Sequence, residues 1–159
     1  MRKPDTDSDG FLDGNEVFHR YNPAGTAPLT LLESGFVKVY SNSLFSIQYP
    51  SQWTAVGQDF AVEFTALSGE KISISVQPRS LEGYLGAVLP AVYNAFTTKN
   101  GYSAALSEDQ LTAVIDLSVP AKEAVLVSLI YKPDGNGEID YLQTFKMMIN
   151  SLQFVQPAE

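Results

Sequence analysis

Val125-Leu126-Val127-Ser128-Leu129-Ile130-Tyr131 is the stretch that decides the fold: it is apolar throughout except for Ser128. A run this short and this rich in β-branched residues reads as a strand covered on both faces, hence one from the middle of a sheet. Working outward, period-2 alternation recurs along the chain. Phe36 to Tyr40 reads as a first strand, and Phe45, Ile47 and Tyr49 alternate with Ser46 and Gln48. Phe60, Val62 and Phe64, then Ile72, Ile74 and Val76, read as two strands joined by a tight Ser68-Gly69-Glu70 turn, an antiparallel hairpin. Ala113, Ile115, Leu117 and Val119 read as another strand. Two stretches have helical spacing instead. Leu81, Tyr84, Leu85, Val88, Leu89, Val92, Tyr93 and Phe96 form one apolar stripe, with Pro90 inside it and Asn100-Gly101 at its end. Tyr141, Leu142, Phe145, Met148, Ile149 and Leu152 form a second, over about 139–152. The order of elements predicts an α+β fold, an antiparallel sheet covered by helices.

Residues 5–16 have a different grammar: Asp5-Thr-Asp7-Ser-Asp9-Gly10-Phe11-Leu12-Asp13-Gly-Asn-Glu16. Counted from Asp5, carboxylates stand at positions 1, 3, 5, 9 and 12 with glycine at 6, the spacing of an EF-hand calcium loop. Calcium takes six to eight oxygens at roughly 2.3–2.6 Å. Asp5, Asp7 and Asp9 are expected to give one side-chain oxygen each, and Phe11 its backbone carbonyl. Asp13 is expected to bind directly or through water, and Glu16 with both oxygens. Gly10 permits the sharp turn, and Leu12 is left for packing. Magnesium, which prefers a strict octahedron and keeps its waters, fits less well. Pro4 stands ahead of the loop and Asn22-Pro23 ends the short segment after it, so neither flank predicts a full EF-hand helix. The string therefore resembles the single calcium loops of thrombospondin type 3 repeats and dockerin-like modules. That resemblance implies a rigid extracellular spacer. A second acidic stretch, Asp134-Gly-Asn136-Gly137-Glu-Ile139-Asp140, is a decoy: in loop register Lys132 falls at position 1 and Gln143 at position 12. It is expected to be a turn between a strand and a helix.

The chain carries a net charge of −8, and residues 5–16 contain five acids and no base. The other 13 acids face 10 Lys and Arg, so most of the excess sits in the loop, a cluster that repels itself unless something positive is bound. An acidic protein with a pI of about 4.5 is a poor partner for nucleic acid or an anionic membrane. With no cysteine there is no disulfide, thiolate metal site or cysteine nucleophile. No apolar run approaches the roughly 18 residues of a membrane span, so direct membrane insertion is not expected. Met1-Arg2-Lys3-Pro4 lacks the apolar stretch of a signal peptide, and a signal or anchor is expected upstream.

Phe45-Ser-Ile-Gln-Tyr49-Pro50-Ser-Gln-Trp53, followed by a hairpin, a long helix, two strands and the closing Met148-Ile-Asn-Ser-Leu-Gln-Phe154, resembles the PsbP-like family. In that family Phe-Ser-Ile-x-Tyr-Pro-x-x-Trp opens the domain and a Ser-Leu/Phe-x-Phe tail closes it. The resemblance covers residues 36–155 and implies an α/β/α sandwich around an antiparallel sheet. It also implies a binding or assembly module. The organisation expected is a calcium loop over 1–23, a linker over 24–35 and the PsbP-like domain over 36–155.

Nothing in the sequence points to catalysis. The one histidine, His19, stands beside the calcium loop and reads as a surface residue. There is no nucleophile elbow and no phosphate-binding glycine loop. Asp116 reads as an exposed strand position rather than a site carboxylate. Tyr49 and Trp53 read as plugs of a core edge rather than walls of a cleft. The expectation is a non-enzymatic, calcium-binding protein of the cell envelope or extracellular space, with a protein partner that the sequence does not name. The alternatives are a PsbP-like ligand-binding or enzymatic domain with structural calcium, and a calcium sensor.

Overall fold

The computed structural model describes residues 14, 16–17, 20–22, 24, 30–87 and 92–156. Within them the alternating segments form β1 (Val37–Ser41), β2 (Phe45–Pro50), β3 (Thr54–Gln58), β4 (Ala61–Thr65), β5 (Lys71–Gln77), β6 (Tyr93–Thr97), β7 (Ser103–Ser107), β8 (Thr112–Asp116), β9 (Leu126–Lys132) and β10 (Gln153–Phe154). Three short helices accompany them: α1 (Leu81–Ala87), α2 (Ser118–Ala121) and α3 (Leu142–Ser151). The strands make a three-stranded sheet, β1-β2-β10, and a seven-stranded sheet, β3-β4-β5-β9-β8-β7-β6. Every pairing is antiparallel. The fold is α+β, as the sequence predicts. No helix among the described residues is long and apolar enough to cross a membrane.

β9 is the middle strand of the large sheet, the place its apolar run predicts. Val127, Leu129 and Tyr131 face the main core with Val62, Phe64, Ile72, Ile74, Ala113 and Ile115. Phe45, Ile47 and Tyr49 of β2 and Phe145, Met147, Met148 and Ile149 of α3 close that core. Leu126 faces the other way and, with Ala105 and Val114, receives Leu81, Tyr84 and Leu85 of α1. Coverage of that face extends to the buried Ser128 and ends at Ile130, which is exposed. The β4–β5 hairpin forms as predicted, its turn carried by Gly69 at φ +99° and by the Gly69 amide donating to the Ala66 carbonyl at 3.1 Å.

The long helix predicted from Leu81 to Phe96 does not form. Among the described residues α1 covers Leu81–Ala87, and Tyr93 and Phe96 belong to β6. Pro90 has no amide to donate and disfavours helix in the residue before it, while the aromatic and β-branched residues beyond it suit a strand. Asn100-Gly101 then turns the chain into β7 instead of capping a helix: the Gly101 amide donates to the Thr98 carbonyl at 2.9 Å, with φ +84°. β8 also ends earlier than its alternation predicts. The chain turns into α2 after Leu117, leaving Val119 91% exposed. Phe60 lies at the tip of the β3–β4 hairpin and is exposed.

That hairpin depends on Gly57. A Cβ there would sit 2.2 Å from the Ala61 carbonyl oxygen and 2.4 Å from the Val62 Cα. Gly57→Ala is therefore expected to pry β3 from β4 and to cost roughly 1–3 kcal/mol. The urea midpoint should fall, and amide protection should drop first in Thr54–Gln58.

Candidate functional site

Of the six predicted calcium ligands, Asp5, Asp7, Asp9, Phe11 and Asp13 lie outside the described residues, as does His19. The sixth, Glu16, is described and only 7% exposed. It sits in a helical turn with Val17, and that turn ends through two backbone bonds: the Arg20 amide donates to the Val17 carbonyl at 3.0 Å and the Tyr21 amide to the Glu16 carbonyl at 2.8 Å. Arg20 takes φ +68° to close it.

The segment after the loop is fastened to the domain. Val17 packs against the main core. A Cβ on Gly14 would lie 3.6 Å from Gln143 Cγ, so the end of the loop borders the first turn of α3. Tyr21 and Thr30 form an antiparallel bridge, and the Leu31 amide donates to the Arg20 carbonyl at 2.9 Å. Leu31, in the segment expected to be a linker, is 4% exposed and belongs to the core. Thr30 and Glu33 make a reciprocal cap on the turn that carries it: the Glu33 amide donates to Thr30 Oγ1 at 3.2 Å, and the Thr30 amide donates to Glu33 Oε2 at 3.0 Å. The Thr30 hydroxyl and then its amide hold the Glu33 carboxyl below the usual carboxylate range.

Five carboxylates and one carbonyl are hard oxygen donors, the kind that calcium takes. No other such set appears: among the described residues no three His, Cys, Asp or Glu side chains gather to hold a metal. The decoy stretch is a turn between β9 and α3, as expected. In it Asp134 accepts from the Asn136 amide at 2.9 Å through Oδ1 and from the Gly137 amide at 3.1 Å through its carbonyl.

The remaining candidates resolve into structural roles. Asp116, at the end of β8, accepts the Leu81 amide at 3.2 Å and the Ser118 amide at 2.8 Å, so its carboxylate ties the first residues of α1 and α2 to the sheet, and it also lines a shallow groove with Asn100 and Tyr102. Tyr49 and Trp53 are buried in the core. The Tyr49 ring lies 4.7 Å from that of Phe64, and Trp53 stands edge-on to Tyr141 at 5.1 Å. Neither residue lines any of three shallow grooves on the surface of the described residues. The groove of about 360 Å³ is lined by Phe96, Leu106 and Ile149 together with Lys99 and Lys146. Burial, and then the Arg20 charge, lower the Lys99 pKa from the ordinary lysine value.

Sequence reading missed a buried polar cluster. Glu70, in the β4–β5 turn, is 1% exposed. Its Oε1 accepts from the Tyr131 hydroxyl and from the Asp140 amide at 3.1 Å, and its Oε2 accepts from the Ser68 hydroxyl at 2.8 Å. Tyr131 Oη in turn accepts the Tyr141 amide at 3.2 Å. Burial, reinforced by Glu70, pushes the Tyr131 phenol above its ordinary pKa. The cluster fixes the start of α3 against the sheet. In the sequence its only trace is a glutamate in a tight turn. A scan against protein-family models and a search of curated proteins returned no match to this chain.

Proposed function

We propose that this protein is a calcium-stabilised, non-enzymatic module of the cell envelope or extracellular space, in which the loop carried by Asp5, Asp7, Asp9, Phe11, Asp13 and Glu16 braces a PsbP-like binding or assembly domain. The observation that carries the reading is the junction: Glu16 ends the acidic loop as a buried residue, and Val17 and Leu31 on either side of the next turn pack on the domain core. Calcium held there would offset two of the five negative charges of the loop and stabilise whatever the junction packs against. The Tyr49 and Trp53 packing supports a filled domain that works through its surface. The α+β layout, with the small sheet and α3 on one face of the large sheet and α1 on the other, is compatible with the PsbP-like sandwich.

A calorimetric calcium titration with magnesium present, paired with thermal melts, tests this. One site is expected, with a Kd of roughly 10⁻⁴–10⁻³ M as in extracellular modules. At a hundredfold excess over Kd the domain should gain about 2.7 kcal/mol and melt at higher temperature. Asp5→Ala should abolish both effects and melt like the calcium-free wild type. Absence of calcium heat, or an Asp5→Ala chain that binds like wild type, would sink the metal reading. Binding with no shift in melting would leave calcium in place but remove the brace.

A further inference from the structure

The chain contains two Asn-Gly pairs, Asn100-Gly101 and Asn136-Gly137. They sit in matched turns. Gly101 donates its amide to the Thr98 carbonyl at 2.9 Å with φ +84°, and Gly137 donates its amide to the Asp134 carbonyl at 3.1 Å with φ +75°. The side chains differ. Asn100 is half-buried and its Nδ2 is tied to the Leu152 carbonyl at 2.6 Å and to the Asn150 carbonyl at 3.4 Å. Asn136 is exposed, and its Nδ2 reaches only its neighbour Asp134 Oδ2, at 3.3 Å. A Cβ added at either Gly101 or Gly137 would meet nothing within 4 Å, so the two sites differ in how the asparagine side chain is held and not in room at the glycine.

We infer that Asn136 is a site of spontaneous deamidation and backbone isomerisation, and that the fold shields Asn100 from the same reaction. In the step, the Gly137 main-chain nitrogen attacks Asn136 Cγ. An N–C bond forms, the Cγ–Nδ2 bond breaks, and the amide proton leaves with Nδ2 as ammonia. Water then opens the succinimide at either carbonyl, giving aspartate or isoaspartate. Glycine is the residue that permits the attack, because no side chain blocks the approach and its backbone is the least restricted. Swinging the Asn136 side chain costs one long hydrogen bond on an exposed turn. Swinging Asn100 breaks the bonds that tie the β6–β7 turn to the end of α3. The product at Asn136 is one more carboxylate in a loop that already holds Asp134, Glu138 and Asp140, and the net charge becomes one unit more negative than −8.

The test is incubation of the intact chain at mildly alkaline pH, with peptide mapping for aspartate and isoaspartate at both positions, and a parallel sample in urea. In the folded chain Asn136 should convert at least about tenfold faster than Asn100, since the difference is the cost of freeing a tied side chain. In urea the two rates should converge. Asn136→Asp should melt like the wild type, whereas Asn100→Asp, which sets a carboxylate against two carbonyl oxygens, should melt lower. Equal rates in the folded chain, or a persistent difference in urea, would overturn the inference.

Discussion

Trp53→Ala is expected to destabilise the protein by about 3–5 kcal/mol, the range for deleting a large buried aromatic. Trp53 is 4% exposed, follows the turn after β2, and stands edge-on to Tyr141 at 5.1 Å, just ahead of α3. The cavity left behind would be bounded by a helix and a sheet, neither of which can collapse into it without giving up other contacts. The effect separates two views of the aromatic pair. If Trp53 lined a ligand cleft, its loss would cost affinity and leave the urea midpoint nearly unchanged. As a core residue it should lower the midpoint steeply. Since Trp53 is the only tryptophan, far-ultraviolet circular dichroism is the suitable probe for wild type and variant alike.

The second large effect is expected at Glu70. Glu70→Ala removes the acceptor of the Tyr131 hydroxyl, the Asp140 amide and the Ser68 hydroxyl in a place shielded from water. Leaving such donors unsatisfied, together with the loss of hydrogen bonds to a charged group, should cost roughly 3 kcal/mol. Glu70→Gln keeps acceptor capacity and should cost less. Tyr131→Phe, which removes the hydroxyl with almost no change of volume, tests the same cluster from the other side. The double variant should cost less than the two single ones added together, because each removes the other's partner. Additive losses would mean that Glu70 and Tyr131 act separately. Hydrogen exchange should show the damage in Asp140, Tyr141 and the first turn of α3 before it reaches β9.

Much of the sheet was legible because burial imposes a period. Phe45, Ile47 and Tyr49, Ile72 and Ile74, and the run ending at Tyr131 announce themselves one residue in two, or continuously where both faces are covered. Two strands were not. β3, at one edge of the large sheet, is largely exposed, and β7, between β8 and β6, reads Ser-Ala-Ala-Leu-Ser, so neither carries the β-branched alternation that marks a strand. The stripe from Leu81 to Phe96 misled for a physical reason: apolar residues spaced for a helix can also be split between a helix and a strand that bury opposite ends of the same patch. Tyr84 of α1 and Tyr93 of β6 do meet, with ring centroids 6.2 Å apart. The proposed calcium loop rests on its ligand spacing alone. The docking of the segment after it was not legible, since nothing local marks Leu31 as a core residue. Glu70 stayed hidden because its partner Tyr131 lies 61 positions along the chain.

The position of β9 also sets the tempo of assembly. The large sheet consists of two meanders, β3-β4-β5 and β6-β7-β8-β9, and only β9 joins them, by pairing with β5 in a register that sets Ile72 opposite Tyr131. Until residue 132 has left the ribosome, β5 and β8 each present an open, partly apolar edge that can pair with another chain. Non-local closure of this kind is slow, and it waits for β9, the last strand of the large sheet to be made. Nascent chains stalled before β9 should therefore be the aggregation-prone species, and those carried past α3 should be soluble and protease-resistant.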